Sequence, residues 1–67
     1  MDFEELNAEM GRNRLTIPKL AKKVGIGKKA MYERFRGETQ FKQSEILAIK
    51  KALHLTDEKV MAIFFAN

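Results

Sequence analysis

The sequence predicts an all-α fold of five helices in a single domain, residues 1–67. Three observations predict it. One proline and four glycines are the only strong breakers in 67 residues. The apolar residues recur at the helical period rather than alternating as in strands. Threonines and glycines stand where successive helices would start and stop. A chain this short buries only about 60% of its unfolded surface, so it supports one modest core and no second module.

The elements follow in order. Phe3, Leu6 and Met10 fall at i, i+3 and i+7, one face of a first helix running to about Asn13. Its opening turn holds Asp2, Glu4 and Glu5, where carboxylates favour the positive end of the helix dipole. Thr16 caps a second helix of about two turns, with Pro18 in the first turn, where a missing N–H costs little, and Gly25 as a left-handed terminator after Val24. A third spans Lys28 to Arg36 and stops at Gly37. The polar loop from Gly37 to Lys42 carries one aromatic, Phe41, as its expected anchor to the core. A fourth helix from about Gln43 to Leu53 buries Ile46, Ile49 and Leu53. Thr56 followed by Asp57 and Glu58 starts a fifth that ends near Phe64 and buries Val60, Ile63 and Phe64. The four methionines are expected to fill core.

Charge is distributed unevenly along these elements. Residues 12–42 hold ten basic side chains (Arg12, Arg14, Lys19, Lys22, Lys23, Lys28, Lys29, Arg34, Arg36, Lys42) against two acids, Glu33 and Glu38. The flanks are net acidic, so the overall +4 conceals a basic middle whose field suits a polyanion, nucleic acid foremost. Absence of cysteine removes disulfides, thiolate metal sites and cysteine nucleophiles together. No apolar run approaches the roughly 18–20 residues that span a bilayer, and Asp2-Phe3-Glu4-Glu5 is opposite in charge to a signal peptide's start. The expectation is a soluble, cytoplasmic protein without cofactor or metal.

Two short helices joined by a turn at Gly25-Ile26-Gly27 have the spacing of a helix-turn-helix, whose second helix enters the DNA major groove. On the wheel of that second helix, Lys28, Lys29, Tyr32, Glu33 and Arg36 share an arc of roughly 140°, while Met31 and Phe35 point away. The segment from Ile17 to Gly37 resembles the helix-turn-helix of the Cro/phage-repressor family. The matches are the small Ala21, the turn glycine Gly25, the apolar Leu20, Val24, Ile26 and Met31, and the closing Gly37. Phe41, Glu45-Ile46, Ile49, Leu53, Leu55-Thr56-Asp57 and Ile63-Phe64-Phe65 extend the likeness over nearly the whole chain, closest to short Cro-like regulators of prophages. The resemblance implies a five-helix lambda-repressor-like bundle and a sequence-specific transcriptional regulator. Arg34 departs from the pattern: it stands on the core-facing arc where the family usually places an aliphatic residue, and is expected to snorkel to solvent or phosphate.

Family geometry brings the start of the recognition helix nearest the bases, so Lys28 and Lys29 are candidate donors to guanine O6 and N7. Tyr32 suits a thymine methyl or a phosphate, or else packs over a neighbouring helix edge. Glu33 either accepts from cytosine N4 or pairs with Lys29 one turn back. Arg36 reaches a guanine or the backbone. Phosphate contacts are expected from Thr16 and the N–H groups after it, with Lys19, and from Thr39, Gln40 and Lys42 in the following loop. Arg12 and Arg14 are further candidates, undecided between phosphate contact and plain surface charge. Lys22 and Lys23 serve the negative end of the second helix, Glu38 is simply a loop residue, and the lone His54 carries no assigned role.

The expected partner is a double-stranded DNA operator, bound by a weak homodimer whose half-sites lie one helical turn, about 34 Å, apart. Met61, Phe65 and the acidic C-terminal third are candidates for the self-contact. The alternative is a protein-interaction module or antitoxin-like partner of the same fold, suggested by the apolar Ile63-Phe64-Phe65-Ala66. No nucleophile–base pair, metal cluster or phosphate loop points to an enzyme, and one tyrosine on the basic helix is a poor platform for unpaired RNA bases.

Overall fold

Local side-chain caps mark most of the helix starts. The computed structural model describes residues 1–66 and contains α1 (Phe3–Arg12), α2 (Ile17–Val24), α3 (Lys28–Phe35), α4 (Gln43–Ala52) and α5 (Asp57–Phe64), with no strand among them. Asn67, the last residue of the expected domain, lies outside the described residues. Asp2 caps α1 by accepting from the Glu5 N–H at 3.0 Å, Thr16 caps α2 and Thr56 caps α5. Glu45 in the first turn of α4 reaches back to accept the Lys42 N–H at 2.8 Å.

Four helix ends share one construction. After α1, the Leu15 N–H donates to the Met10 carbonyl and the Arg14 N–H to that of Gly11. After α4, Leu55 and His54 make the equivalent bonds to Lys50 and Lys51, and after α3, Glu38 and Gly37 bond back to Glu33 and Arg34. The Ile26 N–H bonds to Ala21 beyond α2. Each end requires a left-handed residue, which satisfies carbonyls that would otherwise be orphaned. At Gly25 (φ 77°) and Gly37 (φ 78°) glycine supplies it, as anticipated. At Arg14 (φ 54°) and His54 (φ 55°) a bulky side chain is held there instead. The first and fourth helices thus stop one residue short of the expected Asn13 and Leu53, which become their C-caps. Asn13 joins the two ends, its Nδ2 donating to the carbonyls of Glu9 (2.9 Å) and Leu53 (3.3 Å).

A left-handed non-glycine residue is strained by roughly 1 kcal/mol, part of which glycine returns as extra freedom of the unfolded chain. His54 is exposed and its side chain has no hydrogen-bond partner among the described residues, so little else is lost on replacing it. His54→Gly should therefore raise stability by about 0.5 kcal/mol and Tm by a few degrees. Thermal unfolding monitored by circular dichroism checks this; a lowered Tm would contradict it.

α2 packs against α3 and α4, while α5 packs against α1 and α4. Leu6, Leu20, Met31, Ile49, Leu53 and Ile63 are fully enclosed at the centre, with Met10, Ala21, Ala52 and Leu55 around them. Ala21 lets the helices at α2 approach closely. Only two methionines fill core as expected: Met10 and Met31 are buried, whereas Met1 and Met61 are exposed. Val60 and Phe64 are half-buried beside the enclosed Ile63. Phe41 does anchor the α3–α4 loop, its ring edge-to-face with Phe35 (5.9 Å) and Phe64 (5.5 Å). Among the described residues no helix is long and apolar enough to cross a membrane.

Candidate nucleic-acid interface

The setting of α3 follows from what it buries. Met31 is fully enclosed, and Ile26 and Phe35 on either side pack against the same core. With that face fixed inward, Lys28, Lys29, Tyr32 and Arg36 are left exposed on the opposite face, and Glu33 is half-buried at its margin. These are the five residues expected to read bases, and they lie on the outward side of α3 and at its C-cap. The helix ends at Phe35, with Arg36 as its C-cap rather than its last turn.

Arg34 does not snorkel. Its side chain is only 9% exposed, because its Nε lies 2.8 Å from Glu45 Oε1 and its Nη1 donates to the Ala30 carbonyl at 3.1 Å. The partly buried carboxylate of Glu45 on α4 satisfies the guanidinium within the fold, so the stem need not carry the charge out to solvent. The same Glu45 oxygen caps the start of α4 through the Lys42 N–H. One carboxylate therefore ties the end of α3 to the start of α4 and sets the loop between them. Burial pushes the Glu45 carboxyl up, but the Lys42 N–H and the Arg34 guanidinium outweigh it and leave the pKa below its ordinary value.

The expected phosphate contacts lie on both sides of α3 in sequence. Thr16 Oγ1 accepts the Lys19 N–H at 3.4 Å, which leaves the hydroxyl proton free to donate. α5 is capped in the same way, by Thr56 accepting from Lys59 at 3.1 Å, yet the two ends differ in charge. Asp57 and Glu58 occupy the first turn of α5, whereas the first turn of α2 holds no acid. The positive end of the α2 dipole is thus uncompensated beside the exposed Lys19. Thr39, Gln40 and Lys42 are exposed in the loop that Gly37 opens.

Ion pairs divide the basic residues. Arg12 bonds to Glu5 and Glu9 on its own helix, which draws it into the acidic α1–α5 surface that Lys59 also joins. Arg36 pairs with Glu38, Nε to Oε2 2.5 Å. Among the described residues, Arg14, Lys19, Lys22, Lys23, Lys28, Lys29 and Lys42 have no carboxylate within 4.0 Å. The uncompensated charge therefore concentrates on α2, α3 and their flanking loops. The alternative pair between Glu33 and Lys29 does not form.

Two residues were missed by sequence reasoning. Glu45 had a signal, an acid in the first turn of α4 with an awkward core-side cation eleven residues earlier, although the pairing itself depends on how α3 and α4 cross. Glu38 is a partner of Arg36 and not simply a loop residue. The left-handed turn at Gly37 brings its side chain back beside the end of α3, and the Glu38 N–H closes that turn on the Glu33 carbonyl at 3.0 Å. No family model, curated protein or solved structure matches the chain.

Proposed function

We propose that the chain is a sequence-specific, double-stranded DNA-binding transcriptional regulator of the Cro/phage-repressor type, working in the cytoplasm and of phage or prophage origin. In this reading the five helices form a lambda-repressor-like bundle and α2 and α3 are its helix-turn-helix. The observation that carries it is the outward side of α3, where Lys28 and Lys29, without an ion-pair partner among the described residues, are exposed with Tyr32 and Arg36 beside the half-buried Glu33, and where exposed donors precede the helix in sequence (Thr16, Lys19) and follow it (Thr39, Gln40, Lys42). A helix with an exposed side of this kind offers donors to base edges while the groups before and after it hold the phosphates. The regulator acts by occupying an operator.

One helix reads only a few base pairs, so two copies bind a palindrome. Met61 and Phe65, 59% and 56% exposed, supply apolar surface for a weak self-contact. That surface is also what favours the second reading, an interaction module or antitoxin-like partner, which needs no free charge on α3. Selection of binding sites from random duplex DNA separates the two. The expected outcome is a palindrome with half-sites one turn apart, bound roughly 10³-fold or more above bulk DNA at the same salt. Recovery of no selective duplex at any salt would overturn the DNA reading.

A further inference from the structure

Both acids of the basic middle bear on one cation. Glu38 holds Arg36 at 2.5 Å, and Glu33 precedes Arg36 on the same helix face. The Glu38 hydrogen bond, and with it the charge of Glu33, raises the Arg36 pKa, while the Glu38 carboxyl is held below its ordinary range by the same bond. Both partners therefore stay ionised near neutrality. They are also more than half exposed, at 54% and 55%, so the pair is open to exchange with another anion. Among the described residues no lysine of α2 or α3 has a carboxylate within 4.0 Å.

Building on the DNA-binding reading above, we propose that Glu38 is a specificity-determining residue: it keeps Arg36 in an internal pair that only a guanine's paired acceptors, and not a lone phosphate, displace to advantage. The exchange chemistry differs between the two targets. Swapping a carboxylate for a phosphate replaces one anion by another and leaves Glu38 bare beside the polyanion, so bulk DNA gains little. Guanine N7 and O6 accept two bonds from the guanidinium fork, which offsets the lost pair at a correct site. Glu38 thus lowers affinity for bulk DNA more than for the operator.

Glu38→Gln tests this, with Arg36→Gln and the double variant closing a cycle, on the selected duplex and on bulk DNA across a salt series. With Arg36 present, Glu38→Gln should raise bulk affinity about tenfold and steepen its salt dependence by about one counterion. Affinity for the selected duplex should rise about threefold or less, so the specificity ratio falls at least about threefold. In the Arg36→Gln background the two affinities should change by one common factor. An equal rise on both DNAs with Arg36 present would overturn the proposal while leaving the DNA reading intact. Wild-type protein that binds no duplex would overturn that reading, and this proposal with it. Without DNA, the Arg36 Nε–H resonance should shift on Glu38→Gln; an unchanged resonance overturns the internal pair.

Discussion

Charge reversal at both Lys28 and Lys29 should abolish selective DNA binding while leaving the fold untouched. Both side chains are exposed at the start of α3 and neither has a carboxylate partner among the described residues, so their replacement by glutamate removes little packing and none of the ion pairs described. Acids in that first turn also suit the helix dipole, so Tm should hold or rise slightly. On DNA the effect is large, because each base-contacting lysine is worth about 1–3 kcal/mol of discrimination and each introduced acid repels the phosphates. Affinity for the selected duplex should fall at least about a thousandfold, to the level of bulk DNA. The residual binding should be of the bulk kind, carried by phosphate contacts alone and lost as salt rises. A double variant that keeps selective binding would show that α3 does not read the bases, and survival of cellular function would favour the interaction module.

How much of this surface is visible in the sequence depends on the range of the interaction concerned. Helix starts at Thr16 and Thr56 and stops at Gly25 and Gly37 rest on bonds that span at most five residues, and all four fall where local chemistry puts them. The outward face of α3 is legible for the same reason, since the apolar Met31 and Phe35 mark the inward side of a two-turn helix by their spacing alone. Arg14 and His54 were not legible as left-handed residues. Neither is a glycine, the residue that usually marks such a position, and the left-handed backbone goes with the bonds that Leu15 and Leu55 make back to Met10 and Lys50. Arg34 was recognised as out of place, but its remedy lay on another helix, eleven residues away. The Arg36–Glu38 pair needed the direction of the chain after Gly37, which a wheel of α3 alone does not contain.

Removing the carboxylate of Glu45 should be the most destabilising single change among the polar residues. Glu45→Ala strands the Arg34 guanidinium in a site where it is 9% exposed and deprives the Lys42 N–H of its acceptor in the same step. Breaking a buried pair from one side costs about 3 kcal/mol or more. For a domain of this size, with a total stability on the order of 5 kcal/mol, that lowers Tm by more than about 10 °C. Replacing both partners, as Arg34→Met with Glu45→Leu, leaves no unpaired charge and should recover most of the loss, since an apolar pair of similar volume is often as stable. The pH dependence has a definite sign. The folded pKa of Glu45 lies below its unfolded value, so the pair's contribution is complete above the ordinary carboxylate range and disappears as pH falls through the lowered value. The Met/Leu double variant should lose less stability between neutral pH and about pH 3 than the wild type. Melting curves of the three proteins across that range decide the matter. A Glu45→Ala protein that melts within a few degrees of wild type would mean that Arg34 finds another partner or reaches solvent. The orientation of α3, and with it the placement of Lys28, Lys29 and Arg36, would then rest on Met31 and the apolar packing alone.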